Sequence, residues 1–288
     1  MVEKGGTQGL TPTVKKINVI PKIIHYCWFG RGPMPKSQKD CIRGWRRLLP
    51  DYTFMRWDEK TFSLAEHPLA ESACRVRKFA LTSDICRYNV LAHYGGIYLD
   101  TDVELFQRLD QFMDCNFFSA IELYEEFEQK HIADLYLNPD GTPKDPSADV
   151  PHLEILTSTM GCAPGNELIT SLRNYYNAIP PSDDWALNYR QHVNNDRLVA
   201  RHLVPYGFRY VDQTQRLADN MVVYATGTFG YAFCPNPNCP VSYHHNAATW
   251  DIDSWSRTQR MDHFMDILGL KNTYQKLRQM RRKLISHE

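Results

Sequence analysis

Asp100 and Asp102 stand two apart in the stretch His93–Phe106, HYGGIYLDTDVELF. Two carboxylates this close repel each other, so either one keeps its proton or a cation sits between them. Ile97, Tyr98 and Leu99 before them are apolar and β-prone, and Gly95-Gly96 stops whatever element precedes. In extended backbone, residues two apart point to the same face. A strand would thus carry both acids to its C-terminal end, where α/β sheets place their ligands. That position favours a divalent-metal site over the simpler reading, in which the acids cap a turn.

A second charged pair lies upstream. Wound at the helical period, Val76, Phe79, Ala80, Val90, Leu91 and Tyr94 cover one side, and Leu81, Ile85, Tyr88 and Ala92 another. The spacing predicts one long, mostly buried helix over Glu71–Tyr94. Asp84 and Arg87 are neighbours on it, between the two apolar faces. Buried charges are costly unless they are paired or serve a ligand. Because the helix ends just before the acid pair, both charges are expected to face the same cleft. A carboxylate and a guanidinium there can hold sugar hydroxyls together, and the guanidinium can also take a diphosphate.

The elements that must position these groups follow an α/β grammar. A strand is expected over Val19–Phe29, a helix over Lys36–Leu49 and a strand over Tyr52–Trp57, before the long helix and the acidic strand. Strand and helix in alternation predict a largely parallel sheet. Phe117–Ile121 reads as another strand, Asn138–Val150 as a loop and Leu168–Tyr176 as a helix. Short strands follow over Phe208–Val211 and Met221–Ala225. Residues 1–18 read as a polar, disordered leader, 19–256 as the catalytic domain and 257–288 as a tail. In that tail Lys271, Lys276, Arg278, Arg281, Arg282 and Lys283 accompany Leu270, Tyr274, Leu277 and Leu284 at helical spacing. Such a basic amphipathic helix either lies on an anionic membrane surface or packs on the domain.

Bulk properties narrow the classes. The 288 residues carry 33 Lys and Arg against 33 Asp and Glu, so there is no electrostatic case for nucleic acid. Of the cysteines, Cys234 and Cys239 in CPNPNC have no second pair to complete a zinc site, and several others sit in apolar runs that suit reduced thiols. With neither a signal segment nor an apolar span in the sequence given, a cytoplasmic protein is expected, with peripheral contact at the inner face of the membrane through the tail.

The segment FALTSDICRYNVLAHYGGIYLDTDVEL resembles the donor-site signature of family 32 glycosyltransferases. This is the D-x-D sugar-binding class of capsular-polysaccharide and initiating-mannosyltransferase-like enzymes. The clostridial glucosylating toxins share its S-D-x-x-R…G-G-x-Y-x-D-x-D core. PKIIHYCWFG is similar to the family's first strand, CIRGWRRLLPDYTFMRWDE to the helix and strand that follow, and HHNAATW to its closing histidine–tryptophan motif. The blocks run in family order from about Ile20 to Trp250.

The resemblance implies a GT-A-type nucleotide-diphospho-sugar transferase fold, with a mixed, mostly parallel sheet flanked by helices. It implies a retaining transfer of a hexose from a UDP- or GDP-sugar, with Mn2+ or Mg2+, to a glycan or lipid-linked acceptor in surface polysaccharide synthesis such as capsule or lipopolysaccharide. Carried over by residue, Trp28 would stack on the base, Asp84 and Arg87 would hold the sugar, and Ser83 would lie near the nucleotide. Tyr98 matches the motif's aromatic position. Asp100 would contact ribose or sugar and reach the metal through water, and Asp102 would ligate the metal directly. His244 would complete the metal shell, with His245 as its rival, and Trp250 would reach the diphosphate. Thr249 stands where the family usually has Ser, and it keeps the hydroxyl. Glu154 and Asp196 are candidates for the acceptor side, in segments with no assigned role.

Two other readings compete. A haloacid-dehalogenase-type phosphatase would use Asp100 as nucleophile, Asp102 as acid/base and Asp183-Asp184 as its late acid pair. That motif normally opens its domain, whereas two strands and two helices are expected to precede it here. A non-catalytic sugar-binding relic would not be expected to keep the whole metal and donor set.

Overall fold

The computed structural model describes residues 20–181, 194–231, 241–247 and 257–285. The chain builds β1 (Ile23–Cys27), α1 (Lys36–Leu48), β2 (Thr53–Trp57), α2 (Pro68–Arg75), α3 (Phe79–Tyr94), β3 (Gly96–Leu99), β4 (Val103–Leu105) and β5 (Phe117–Leu123). There follow α4 (Glu126–Gln129), α5 (Ile132–Tyr136), β6 (Leu153–Ile155), β7 (Thr159–Cys162), α6 (Glu167–Ala178) and α7 (Asn195–Leu203). The last elements are β8 (Gln215–Leu217), β9 (Met221–Tyr224), β10 (Phe229–Tyr231), β11 (Ser242–His244), α8 (Arg257–Ile267) and α9 (Lys271–Ile285).

The main sheet has the order β2-β1-β3-β7-β5-β9-β8, with β6 paired to β5. β1 is parallel to both β2 and β3, and β5 is parallel to β9, whereas β7 and β8 run antiparallel to their neighbours. This is the mixed, mostly parallel α/β sheet expected of a GT-A-type transferase. Apolar clusters cover both faces, one built around α3 and α6, the other around Trp45 and Phe118. That double cover explains why β3 is buried along its whole length rather than in alternation.

A buried histidine fixes the start of β3. His25 Nε2 lies 2.8 Å from the Gly95 carbonyl, and its Nδ1 accepts from Trp57 Nε1 at 3.1 Å. Burial lowers its pKa to about 4, so the ring is neutral. Gly96 sits at φ +98°, and a Cβ there would come within 2.8 Å of the Ile23 carbonyl oxygen. The double glycine therefore brings β3 against β1 as well as ending α3.

A small second sheet, β10-β11-β4, sets His244 of β11 opposite Val103 of β4. Trp45 of α1 donates its indole N–H to the Val103 carbonyl at 2.7 Å, tying this sheet to the first helix.

Three expectations need correction. The long helix over Glu71–Tyr94 is two helices. Arg77 adopts φ +63° between them, Lys78 N donates to Ala73 O and Arg77 N to Cys74 O. That is a Schellman ending with arginine where glycine is usual, so the sequence carried no stop signal. Phe208–Val211 forms no strand. Both Phe208 and Tyr210 are buried, but the Gln215 side chain takes the backbone bonds of Arg209 and Val211 that a ladder would use. Finally, β3 ends at Leu99, so Asp100 and Asp102 lie in the turn to β4 and not in a strand.

The tail region is helical and docked. Ser37 at the start of α1 donates its backbone N–H and its hydroxyl to Asp266 of α8, at 3.1 and 2.5 Å. Arg278 of α9 pairs with Asp262 at 3.7 Å. Among the described residues no helix is long and apolar enough to cross a membrane, and Cys27, Cys41, Cys74, Cys86, Cys115 and Cys162 are free thiols. The leader, residues 1–18, lies outside the described residues, as do Cys234 and Cys239.

Candidate active site

The turn Asp100-Thr101-Asp102 is closed by a bond from Val103 N to Asp100 O, and Asp100 N is held by Ser158 O. Its two carboxylates converge because the chain reverses, not because a strand alternates. His244 joins them. Its Nε2 lies 3.3 Å from Asp102 Oδ1 and 3.9 Å from Asp100 Oδ2. One ligand atom from each of the three residues falls within 4.8 Å of the others. Burial alone would lift the Asp102 carboxyl, but the His244 hydrogen bond and a 2.7 Å bond from Ala247 N hold it below the usual range. Burial opposes charge on His244 in turn, and Asp102 and Asp100 together raise it above the ordinary histidine value.

His245, the rival ligand, points elsewhere. It is exposed, and its Nε2 meets Glu104 Oε2 at 3.1 Å. Successive side chains of an extended segment face opposite ways, so only one of the two histidines can look into the site.

Asp84 and Arg87 come up from α3, on the far side of Asp100. Arg87 Nη2 is 3.3 Å from Asp84 Oδ1 and 3.2 Å from Asp100 Oδ1, and the guanidinium lies over the Tyr98 ring at 4.2 Å. Tyr98 is buried, and its hydroxyl donates to Asp100 Oδ1 at 3.0 Å. The motif's aromatic therefore supports both charged groups from beneath. Arg87 divides its charge between two acids, and burial still pushes the Asp84 carboxyl up to about 7. Asp84 also accepts from Asn195 Nδ2 at 3.0 Å, and the Asn195 carbonyl takes the hydroxyls of Tyr88 and Tyr176. Sequence reasoning missed Asn195. It opens α7, a short helix capped by Asn194, and the N-N-D triplet in a polar segment was the one available signal.

Asp84, Arg87, Tyr98, Asp100, Asp102, Asn195 and His244 line a single cavity of about 630 Å³, a size typical of ligand sites. Trp28 and Ser83 also line it, both partly exposed. Trp28 is held by a bond from its indole N–H to Gly32 O at 2.8 Å. Two of the Arg87 nitrogens, Nε and Nη1, are buried with no hydrogen-bond partner among the described residues. Buried donors of this kind point to a missing acceptor. Trp250 and Thr249 lie outside the described residues, as do Asp183 and Asp184.

A second acid cluster lies close by. Glu122 of β5, Glu154 of β6 and Asp196 of α7 bring carboxylate oxygens within 4.8 Å of one another. Glu122 and Glu154 are direct partners across an antiparallel pair, a costly arrangement for like charges. Arg197 Nε offsets part of it at 2.6 Å from Glu154, and the Thr157 hydroxyl donates to Asp196 at 2.5 Å. Burial, followed by the neighbouring acids, drives Glu122 up to about 8 and Asp196 to about 6. Glu154 and Asp196, which the sequence left without a role, thus meet in one place. Glu122 had a visible signal that went unread: an acid inside the apolar run FFSAIEL.

Comparison with known proteins agrees with this geometry. Residues 35–118 match the family model described as "Glycosyltransferase sugar-binding region containing DXD motif". That span takes in α3, β3 and the Asp100–Asp102 turn. It is similar to a DXD-type glycosyltransferase sugar-binding region. The mannosyl phosphorylinositol ceramide synthase CSH1 of Saccharomyces cerevisiae is 36% identical to this chain over 100 residues, covering 32% of this chain and 25% of the relative. The inositol phosphoceramide mannosyltransferase 2 of Schizosaccharomyces pombe is 34% identical over 99 residues, covering 33% and 28%. The chain thus matches about a quarter of the length of these relatives. Two solved structures, the PaToxG glycosyltransferase and the galactosyltransferase LgtC, align at 16% and 11% identity with TM-scores of 0.42 and 0.43. They cover 65% and 87% of this chain, and 70% and 95% of their own. That likeness is too distant to bear on function.

Proposed function

We propose that the protein is a metal-dependent, retaining hexosyltransferase that takes a UDP- or GDP-linked sugar and passes the sugar to a hydroxyl of a lipid-linked or glycan acceptor. The observation that carries this reading is the meeting of Asp84, Arg87, Asp100, Asp102 and His244 around one cavity, inside a DXD sugar-binding region.

The residues fit a divalent ion. Two carboxylates and an imidazole converge, and this mixed oxygen and nitrogen set suits Mn2+ or Mg2+. Asp102 and His244 would hold it directly, with Asp100 behind. Bound there, it supplies charge neutralisation as a nucleoside diphosphate departs. Arg87 is fixed by Asp84, Asp100 and the Tyr98 ring, and its spare N–H groups are free to grip sugar or phosphate oxygens. Trp28 offers an aromatic face near the rim for the base, and Ser83 a hydroxyl beside it. The carboxylates near the sugar side are already bonded, Asp84 by Arg87 and Asn195. This favours attack by the acceptor on the face the diphosphate leaves, with a departing phosphate oxygen taking the acceptor proton.

The names of the yeast relatives support mannose as the first sugar to test and an inositol-bearing sphingolipid as the first acceptor. Capsule or lipopolysaccharide synthesis rests on the family resemblance alone. Membrane contact fits the shape of the tail. α8 and the turn after it present Met261, Phe264 and Leu268 to solvent, while His263 and Ile267 of the helix line the cavity. A helix lying in the interface of a cytoplasmic membrane face would bring lipid head groups to the cavity mouth. Phe264→Ser with Leu268→Ser should weaken sedimentation with anionic vesicles several-fold, and unchanged sedimentation would exclude this surface. These changes spare the Asp266 anchor, which removal of the tail would not.

The deciding experiment is incubation with a panel of UDP- and GDP-sugars and Mn2+ or Mg2+, read as nucleoside diphosphate release. Release that needs the metal and one sugar supports a transferase. Release of phosphate from sugar phosphates instead would support a phosphatase.

A further inference from the structure

We propose that the wall formed by Glu122, Tyr124, Thr157 and Asp196 is the acceptor subsite, and that it takes an uncharged, hydroxyl-rich ring. The inference rests on the transferase reading above and goes on to assign the second half of the cavity.

Of the three acids Glu122, Glu154 and Asp196, only Glu154 has an ion-pair partner within 4.0 Å among the described residues, Arg197. Arg197 compensates Glu154, which is not among the residues lining the cavity. Glu122 and Asp196 both line the cavity, and nearly all of Glu122 is removed from water, with 4% exposed. Near neutral pH their mutual repulsion and burial keep a proton on one of them. A carboxyl beside a carboxylate offers a donor and an acceptor together. An alcohol is likewise donor and acceptor at one oxygen, so it satisfies both. A phosphate or a carboxylate presents acceptors only and adds repulsion. The cluster therefore selects against the anionic part of any ligand in the same cavity, which belongs with Arg87 and the Asp100–Asp102–His244 end.

A separate observation also points to a ligand at this wall. Ser158 follows Thr157 directly, lines the same cavity and is 3% exposed, yet its hydroxyl has no partner among the described residues. Tyr124 shares a hydrogen bond with Glu122 and is only partly buried, so its phenol edge remains open to the cavity. Hydroxyls left without partners are expected where a polyhydroxylated guest supplies the missing bonds.

The test separates this inference from the one beneath it. Saturation-transfer NMR on the intact chain, without donor, should detect binding of myo-inositol and none of glucuronate, a ring of similar size bearing a carboxylate. Glu122→Leu and Asp196→Ala, which remove the donor and the acceptor, should each weaken the myo-inositol signal at least tenfold. The dissociation constant for nucleoside diphosphate with Mn2+, measured by calorimetry, should move less than twofold. Thr157→Val gives a third variant that keeps all charges and should also weaken the polyol. Equal binding of glucuronate and myo-inositol, or polyol binding untouched in all three variants, overturns the proposal. Nucleoside diphosphate that fails to bind the unmodified protein counts against the transferase reading, whatever the polyol does.

Discussion

The cavity meets two acidic clusters built from similar parts and tuned in opposite directions. At one end Asp100, Asp102 and His244 converge within 4.8 Å, and at the other Glu122, Glu154 and Asp196 do the same. The first end includes an imidazole and a backbone N–H, which hold Asp102 ionised below the usual carboxylate range. In the second, burial and the neighbouring acids outweigh the pull of His244 on Glu122 and of Arg87 on Asp196, so both carboxyls are pushed up. Spacing alone makes both ends look like metal sites. Their electrostatics separate them: a cation is attracted where the acids are already charged, and neutral hydroxyls where one acid keeps its proton.

The comparison breaks most sharply at Asp102. Asp102→Asn keeps the shape, and its side-chain oxygen can still accept from Ala247 N, but it removes the charge a metal needs. Metal-dependent donor turnover should fall by about 10³-fold or more, while the thermal melt shifts little. Full activity in this variant would refute the metal assignment at that end. A smaller effect distinguishes the two histidines. His244→Ala should raise the Mn2+ concentration needed for half-maximal activity by about 10–100-fold, the range seen when groups around a metal are lost. His245→Ala should leave it within about twofold, because that ring faces Glu104 in solvent. Reversal of the two titrations would move the site to the outer histidine.

Much of the first end was legible in the sequence, and little of the second. Asp84, Arg87, Asp100 and Asp102 fall within one helix–strand unit, so local periodicity and one glycine pair were enough to bring them together. His244 came from a recognisable closing string. Even so, the reason first given for the acid pair, alternation along a strand, was not the physical one. Glu122, Glu154 and Asp196 come from three separate elements joined only by the tertiary fold, and no local pattern links them. The break at Arg77 was hidden because a non-glycine residue takes the left-handed position. Phe208–Val211 looked like a strand because its alternate residues are buried, and only the Gln215 side chain shows where its backbone bonds go.

The smallest expected effect tests the second end by stability alone. Glu122 has a folded-state pKa of about 8 against 4.5 when free. Between those values the folded chain holds a proton that the unfolded chain has released, so stability must decline as pH rises through this window and level off above it. Asp196, at about 6, and Asp84, at about 7, contribute the same sign but finish earlier. His244, raised by Asp102 and Asp100, acts in the same direction above the ordinary histidine value, but it is present in both proteins compared. Glu122→Gln replaces a protonated acid with a neutral group of the same shape. Near pH 6 the variant should match the unmodified chain within about 0.5 kcal/mol in urea unfolding. At pH 9 it should be the more stable by at least about 1.4 kcal/mol, the worth of one pKa unit. Parallel pH curves for the two proteins would mean that Glu122 ionises normally, and the two ends of the cavity would then differ in position but not in charge.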